Sequence, residues 1–251
     1  MLNPEHVLLP YSLSELPKGP WLVFAPHADD ETYGMGGTLL RAKAEGIETH
    51  VIVLTDGALG GEAEDLVQIR RTEVENAASA LGLASLTCWD EPDRGLVVSP
   101  ALIEKAAAAI TDLAAATVFF PGSLEAHPDH RIAAQLAWLA LQSLQNSQAS
   151  SSRPETESTI AAISYEIGNQ NPINTMIDIT TVIDDKAAVM SCYNSQNSEN
   201  NYEDLVTALD RGRTFTMPPE VGYCEGFYRY SDEQRAKTLR EVTHEIIELY
   251  F

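Results

Sequence analysis

The chain has 251 residues and a formal net charge of −21 at pH 7, with only 16 Lys and Arg side chains. This charge makes nucleic acid and anionic membrane surfaces poor partners, because both would repel the protein. Hydrophobic residues make up 44% of the chain, which is enough for the sizeable core of a single α/β domain spanning residues 1–251.

The three cysteines, Cys88, Cys192 and Cys224, are far apart and form no C-x-x-C motif. Such spacing is typical of reduced thiols in the cytoplasm rather than of a disulfide framework. The N-terminal residues lack a basic segment followed by an apolar stretch, and no apolar run reaches the length of a membrane helix. We therefore expect a cytoplasmic protein with no integral membrane segment.

Short apolar stretches alternate with helical patterns through the first part of the chain. Strands are predicted at 21–25, 48–55, 86–89 and 117–120, and helices at 37–44, 64–81, 100–115 and 132–145. This alternation predicts an α/β fold with a doubly wound, mostly parallel, Rossmann-like sheet and helices on both faces.

The second part of the chain begins with residues 146–158, which are rich in Ser, Gln and Pro and are predicted to form a flexible loop. Beyond it, strands are predicted at 159–167, 176–179 and 225–230, and helices at 184–193, 202–209 and 232–249. The sequence contains no internal repeat and no strong domain boundary.

Two short polar motifs follow predicted strands. P-H-A-D-D-E at residues 26–31 comes after the first strand, and H-P-D-H at residues 127–130 comes after the fourth. In open α/β sheets, binding sites are built at the carboxyl ends of the strands. His27 and Asp30 are close enough to share one ion, and either His127 or His130 can complete a site of three ligands with an open position for water. The two motifs together predict a divalent-metal site suited to hydrolysis.

The residue beside these ligands is a candidate base. Asp29 is adjacent to Asp30 but is aimed differently, so it can take a proton from a water whose pKa zinc lowers to roughly 7. Each motif alone is equally explained by a helix start with an N-capping Asp. Their occurrence together, each after an apolar strand at the same predicted edge, favours the metal site.

The two motifs resemble those of the PIG-L, or LmbE-like, zinc N-deacetylases, which are H-P-D-D-E near the N-terminus and H-P-D-H further on. Weaker matches follow in the same order at residues 70–73, 81–82, 92–96, 186–196 and 223–227. The resemblance covers residues 21–230, nearly the whole chain. It departs from the family at Ala28, where a proline would fix φ and stiffen the turn.

The resemblance implies the roles of the motif residues. His27, Asp30 and His130 would be the ligands of Zn²⁺, with Fe²⁺ or another divalent metal as an alternative because His and carboxylate ligands serve both. Asp29 would be the general base. His127 would stabilise the tetrahedral oxyanion or protonate the leaving amine.

Four further residues receive roles from the same resemblance. Arg70 and Asp93 would contact the sugar or its aglycone. Asp129 and Glu31 would orient the metal-binding side chains without binding the metal themselves. Three of these roles have a structural alternative. Arg70 can form an ion pair with Glu73 on a helix surface, Asp93 can belong to a turn, and Glu31 can be a favourable charge at a helix start.

On this resemblance we expect a hydrolase that removes the acetyl group from a small N-acetylglucosamine-type sugar or conjugate. One alternative is an amidase that cleaves another acyl group, from a thiol conjugate or an antibiotic sugar, and differs in pocket loops 56–64 and 96–100. Another is a non-catalytic sugar- or metal-binding module, against which the presence of Asp29 argues. The sequence leaves open the particular sugar, the native metal and whether the protein is a homo-oligomer.

Overall fold

A seven-stranded sheet organises residues 13–150 and 160–248, the part of the chain that the computed structural model describes. The strands are β1 (Trp21–Ala25), β2 (Thr49–Thr55), β3 (Ser85–Glu91), β4 (Thr117–Pro121), β5 (Ala161–Tyr165), β6 (Thr175–Asp178) and β7 (Cys224–Arg229). They lie in the order β3-β2-β1-β4-β5-β7-β6.

The helices follow the strands along the chain. They are α1 (Asp30–Ala44), α2 (Leu66–Leu81), α3 (Pro100–Asp112), α4 (Pro128–Ser150), α5 (Ile183–Met190), α6 (Asn194–Asn197), α7 (Tyr202–Gly212), α8 (Asp232–Arg235) and α9 (Leu239–Glu248). Short 3-10 helices lie at Thr180–Val182 and Arg213–Thr216. None of the described helices is both long enough and apolar enough to cross a membrane.

Strands β1 to β5 are all parallel, whereas β7 pairs antiparallel with both β5 and β6. The prediction of a doubly wound, mostly parallel sheet is therefore confirmed. Successive residues of β1 point to opposite faces and join two separate cores. Trp21, Val23 and Ala25 pack in one core, and Leu22 and Phe24 pack in the other.

The first helix begins earlier than predicted. It starts at Asp30 rather than at residue 37, and it is broken at Met35, whose φ of −150° and ψ of 23° are not helical. Beyond the break, the backbone N–H groups of Gly37 and Thr38 donate to the Glu225 carboxylate over 2.8 and 2.7 Å. A buried carboxylate from β7 thus satisfies donors that a new helical turn would otherwise leave unpaired.

The charge on Glu225 is balanced inside the protein. The fully buried ammonium of Lys186 lies 2.8 Å from Oε1 of Glu225 and 2.6 Å from Oδ2 of Asp210. The three side chains come from α5, α7 and β7, so this ion cluster connects the later elements to the break in α1.

The predicted loop at 146–158 is partly wrong. Helix α4 begins at Pro128, four residues before the predicted start, and continues to Ser150, so residues 146–150 are helical. The rest of that loop and residue 159 of the predicted strand lie outside the described residues. The predicted C-terminal helix is two helices, α8 and α9, and its last residue, Leu249, also lies outside the described part.

Candidate active site

The predicted motifs meet where the strand order reverses. The chain runs from β1 outward to β3 and then returns to place β4 on the other side of β1. In a doubly wound sheet this switch point leaves a crevice beyond the carboxyl ends of the two strands. His27 leaves the end of β1, and residues 127–130 lie between the end of β4 and the first turn of α4.

Three imidazoles surround this crevice. The ring centroids of His27, His127 and His130 lie 4.7 to 5.4 Å apart. One nitrogen from each ring lies within 4.8 Å of the others. Oδ2 of Asp30 lies 3.1 Å from Nδ1 of His27 and 3.3 Å from Nε2 of His130. The structure therefore brings together the three residues predicted as ligands.

Two further carboxylates face the opposite nitrogen of the first histidine. Nε2 of His27 lies 3.4 Å from both Oδ1 of Asp93 and Oδ2 of Asp129. These three side chains and His127 form a second group of donor atoms within 4.8 Å of one another. Each carboxylate is also held by the backbone, because Leu59 N donates to Asp93 over 2.9 Å and Arg94 N donates to Asp129 over 2.7 Å.

The titration of the site favours positive charge at its centre. Burial acts to lower the pKa of His27. The hydrogen bonds of His27 with Asp129, Asp30 and Asp93 nevertheless raise this pKa well above the usual value. The pKa of His130 is likewise raised against burial, to about 9, mainly by the charge of Asp30. The pKa of Asp30 is held well below its usual value, against burial, by His130 and His27.

Such a donor set fits a divalent cation. The imidazoles and carboxylates are the ligand types that Zn²⁺ and Fe²⁺ accept in hydrolytic and related sites. A bound cation would supply the positive charge that the carboxylates here otherwise draw from protonated imidazoles. By this chemical criterion the residues present match the predicted metal.

Asp29 has an unusual backbone. It occupies the N-cap position of α1, but its side chain makes no capping hydrogen bond, so the N-cap explanation of the motif does not hold for it. Its φ of 147° and ψ of −29° lie in a region that non-glycine residues rarely adopt. Such a conformation costs about 1–3 kcal/mol and is often found at functional sites.

The Asp29 carboxylate is buried beside a guanidinium. Arg70 donates from Nη2 to Oδ2 of Asp29 over 3.2 Å and to the carbonyl oxygen of Ala28 over 3.1 Å. Burial raises the pKa of Asp29 to about 7, although the charge of Arg70 opposes the shift. Arg70 does not pair with Glu73, because Glu73 instead accepts hydrogen bonds from Ser195.

Glu31 is fully buried and directly follows the candidate ligand Asp30 in the chain. Its Oε1 accepts hydrogen bonds from the hydroxyls of Thr32 and Tyr193, and its Oε2 accepts one from the backbone N–H of Asp29 over 3.3 Å. Glu31 also lies in the first turn of α1, so the alternative of a favourable charge at a helix start is compatible with these contacts. These hydrogen bonds connect the Glu31 carboxylate to the backbone of Asp29.

Sequence reasoning missed Glu125. This carboxylate is buried, and its Oε2 lies 3.5 Å from Nδ1 of His130, on the opposite side of the ring from Asp30. It also accepts hydrogen bonds from the backbone of Ile167 and Gly168 and from the side chain of Asn171. An acidic residue two positions before the second motif was the only available signal, and nothing in the sequence distinguishes it from a surface carboxylate.

A pocket of about 780 Å³ opens above these side chains. As predicted, the loop after β2 lines it, through residues 59–62, but the predicted loop 96–100 is not among its lining residues. A second, adjoining wall comes instead from residues 196–206, around α6 and α7. Gln196 joins the two walls, since its Nε2 donates to the carbonyl oxygen of Gly60 over 3.2 Å.

The outer part of the pocket is aromatic and acidic. Tyr33 and Tyr202 line it and are stacked, with ring centroids 5.9 Å apart. Glu62 and Glu199 are exposed on its rim, and neither forms an ion pair with another described residue. The rim also includes Arg94, whose guanidinium donates to the carbonyl oxygen of Leu59.

Comparison with known proteins identifies several relatives. The family model of PIG-L, described as GlcNAc-PI de-N-acetylase, matches residues 22–141. Diacetylchitobiose deacetylase of Thermococcus kodakarensis is 30% identical over 118 residues, or 44% of this chain and 44% of that protein. The match thus spans less than half the length of this curated relative.

Two solved structures share the fold. The conserved protein TT1542 of Thermus thermophilus is 31% identical, with a TM-score of 0.71 over 83% of this chain and 93% of that one. N,N'-diacetylchitobiose deacetylase of Pyrococcus horikoshii has a TM-score of 0.74 over 90% of this chain and 89% of that one. At 24% identity, the second likeness concerns the fold alone.

Proposed function

Because the chain belongs to the PIG-L family of deacetylases, we propose that it hydrolyses the N-acetyl amide of an N-acetylglucosamine-type sugar or sugar conjugate with the aid of a divalent metal. The observation that carries this proposal is the convergence of His27, Asp30 and His130 at one point, with the buried carboxylate of Asp29 beside it. Amide hydrolysis needs an activated water, a polarised carbonyl and a proton for the departing nitrogen.

His27, Asp30 and His130 are the residues that would hold the cation. Asp30 presents one oxygen to both imidazoles and is buried with them. His127, which has a nitrogen within 4.8 Å of those of His27 and His130, is only half-buried. Zn²⁺ is the proposed metal and Fe²⁺ its alternative, since the ligand types suit both. When bound, the cation acts as a Lewis acid that acidifies water and polarises the amide carbonyl.

Asp29 is the proposed general base. With a pKa of about 7, set by burial against the opposing charge of Arg70, it can accept a proton from the attacking water and return one near neutral pH. The water oxygen bonds to the carbonyl carbon, the C–N bond breaks, and the proton passes to the nitrogen. Acetate and a free amine result.

His127 is the proposed second catalytic group. It lines the pocket, and burial, together with the charges of His27 and His130, lowers its pKa. A neutral imidazole can donate a hydrogen bond to the oxyanion of the tetrahedral intermediate or relay a proton to the leaving amine. Asp129 supports this arrangement, because its backbone N–H donates to Nδ1 of His127 over 3.2 Å.

The pocket suits a carbohydrate. Its volume is in the range of small-molecule sites, and the exposed ring of Tyr202, which is stacked on the buried Tyr33, offers an aromatic surface for the apolar face of a sugar ring. Arg70 and Asp93 also line it and remain the proposed sugar contacts. The diacetylchitobiose deacetylases among the similar proteins point to the same substrate class.

The proposal is tested by measuring acetate release from N-acetylglucosamine and N,N'-diacetylchitobiose with the purified full chain. We expect release that a chelator abolishes and that Zn²⁺ or Fe²⁺ restores, with the metal content measured in parallel. Binding of these sugars without acetate release would support a non-catalytic module. Release of a longer acyl chain, but not of acetate, would support the alternative amidase. Acetate release that survives complete metal removal would contradict metal dependence.

A further inference from the structure

A tyrosine distant in sequence reaches the backbone of the proposed base. The hydroxyl of Tyr193 donates to Oε1 of Glu31, which lies 162 residues earlier in the chain. The other oxygen of Glu31 accepts the backbone N–H of Asp29. Tyr193 and Asp29 are therefore connected through a single buried carboxylate.

The Asp29 backbone needs this support. Its positive φ is unfavourable for a residue with a side chain, so surrounding contacts must maintain it. The carbonyl oxygen of Asp29 is held by Thr32 N and Tyr33 N, each over 2.9 Å. Its N–H is held by Glu31 alone among the described hydrogen bonds. If Glu31 moves, the peptide before Asp29 keeps only the described hydrogen bond from Arg70 to the carbonyl oxygen of Ala28, so the positive φ of Asp29 loses one of its supports.

Tyr193 is itself fixed in place. It is fully buried, its ring packs against Tyr33 with centroids 5.7 Å apart, and its carbonyl oxygen accepts hydrogen bonds from Gln196 and Asn197 in α6. Thr32 supplies the second hydroxyl, which lies 3.1 Å from the Tyr193 oxygen and donates to the same atom of Glu31. A carboxylate held by two hydroxyls has a defined orientation.

We propose that Tyr193 is a positioning residue for Asp29, and that it acts through Glu31. This inference rests on the proposed function for its kinetic consequence, since it assumes that Asp29 is the base. The side chain of Tyr193 makes no direct contact with His27, Asp30 or His130 among the described contacts. Glu31 follows Asp30 in the chain, but its two carboxylate oxygens accept hydrogen bonds from Tyr193, Thr32 and the backbone of Asp29. Loss of the hydroxyl therefore affects the proton acceptor and leaves metal binding and substrate binding intact.

The test is Tyr193→Phe, which keeps the ring and removes only the hydroxyl. We expect kcat to fall by about tenfold or more, with KM and metal content unchanged, as for other residues that orient active-site groups. Tyr165→Phe is the matched control, because Tyr165 is equally buried and donates its hydroxyl to the carbonyl oxygen of Phe24 instead. The control should keep kcat within about twofold of the parent value.

The route through Glu31 has its own test. In a Glu31→Gln background, adding Tyr193→Phe should cause little further loss of kcat, because both changes act on one connection. Independent, multiplicative losses would overturn the proposal, as would a Tyr193→Phe protein with the parent kcat. If Tyr193→Phe does not fold, Thr32→Val carries the test, since it removes the other hydroxyl on the same oxygen.

A crystal structure of Tyr193→Phe separates this inference from the proposed function. We expect Asp29 to leave its positive φ or its carboxylate to move away from Arg70. This readout needs no turnover, so it remains decisive if the parent protein releases no acetate. An unchanged Asp29 in that structure would overturn the inference even if the deacetylase activity were established.

Discussion

Arg70 donates from Nη2 to Oδ2 of Asp29 over 3.2 Å, although the two residues are 41 positions apart. The same nitrogen donates to the carbonyl oxygen of Ala28, and Nη1 donates to that of Gly57 over 3.4 Å. One guanidinium thus connects the loop after β1 with the loop after β2. A lysine side chain ends in a single nitrogen, so it cannot reproduce the planar arrangement in which two guanidinium nitrogens donate to three acceptors.

We therefore expect Arg70→Lys to impair both activity and folding. The free energy of unfolding should fall by about 1–3 kcal/mol, because buried carbonyl oxygens lose donors. The kcat for acetate release should fall by about tenfold, because the Asp29 carboxylate loses a fixed partner. Denaturant unfolding and initial rates measure the two effects. Arg71→Lys, which alters an exposed ion pair with Asp90, should change neither, and equal effects of both variants would contradict the argument.

Replacing Asp29 by Asn should abolish turnover and leave the metal in place. Asn is isosteric but cannot accept the proton from water, so kcat should fall by about 100-fold or more. Metal content should stay at the parent level, because His27, Asp30 and His130 are unchanged. Asp90→Asn, on the surface, is the matched control. A variant that retains most of its kcat would exclude Asp29 as the base.

Glu125→Gln should weaken metal binding. The carboxylate lies against Nδ1 of His130, so it fixes the ring with Nε2 towards Asp30. Loss of such a partner typically costs about 10- to 100-fold in metal affinity. Competition titration with a chromophoric chelator measures the change. Glu104→Gln, on the exposed side of α3, should leave the affinity unaltered, and a Glu125→Gln protein with parent affinity would refute the assignment.

The acidic rim predicts discrimination against anionic sugars. Glu62 and Glu199 lie on adjoining walls of the pocket, because a Cβ at Gly61 would lie 3.6 Å from Oε1 of Glu199, and the protein has a net charge of −21. N-acetylglucosamine 6-phosphate should therefore have a lower kcat/KM than N-acetylglucosamine, and the difference should decrease as salt screens the charges. The double change Glu62→Gln and Glu199→Gln should reduce the difference in kcat/KM between the two sugars. Equal kcat/KM values at low ionic strength would show that the rim does not select by charge.

Lys186→Met should strongly destabilise the fold. It leaves Glu225 and Asp210 buried without their cation, and breaking a buried pair in this way costs about 3–5 kcal/mol. Urea unfolding measures the loss. Lys237→Met removes an exposed ion pair with Glu245 and serves as the control, with no expected change. A stable Lys186→Met protein would mean that the buried carboxylates take up protons without penalty.

Much of the fold could be predicted because it depends on local patterns. The apolar runs indicate the positions of β1, β2 and β4, and the parallel arrangement follows from the helices between them. The start of α1 was missed because the glycines at 34, 36 and 37 resemble a loop. In the folded chain these glycines permit close packing: a Cβ at Gly34 would lie 2.4 Å from the carbonyl oxygen of Glu166.

The part of the site that could be predicted lies within two continuous motifs. His27, Asp30 and His130 are identifiable because each motif follows a strand of the same sheet. Tyr193 and Gln196 belong to a weak match to the family at residues 186–196, which gave them no role, and Glu125 was not singled out at all. Their importance comes from contacts made after folding. The roles of the motif residues, including Arg70 and Asp93 as sugar contacts, stay predictions until the variants are measured.

The two halves of the chain contribute different parts of the pocket. The candidate ligands and the proposed base all lie before helix α4 ends, whereas the wall around α6 and α7 lies beyond it. Under the proposed function, exchange of α6 and α7 between homologues, with Tyr193 retained, should change the substrate preference and leave the ligands and the base unaltered. Substrate recognition in this scaffold can therefore diversify through changes in one segment, while the candidate metal ligands and the proposed base are retained.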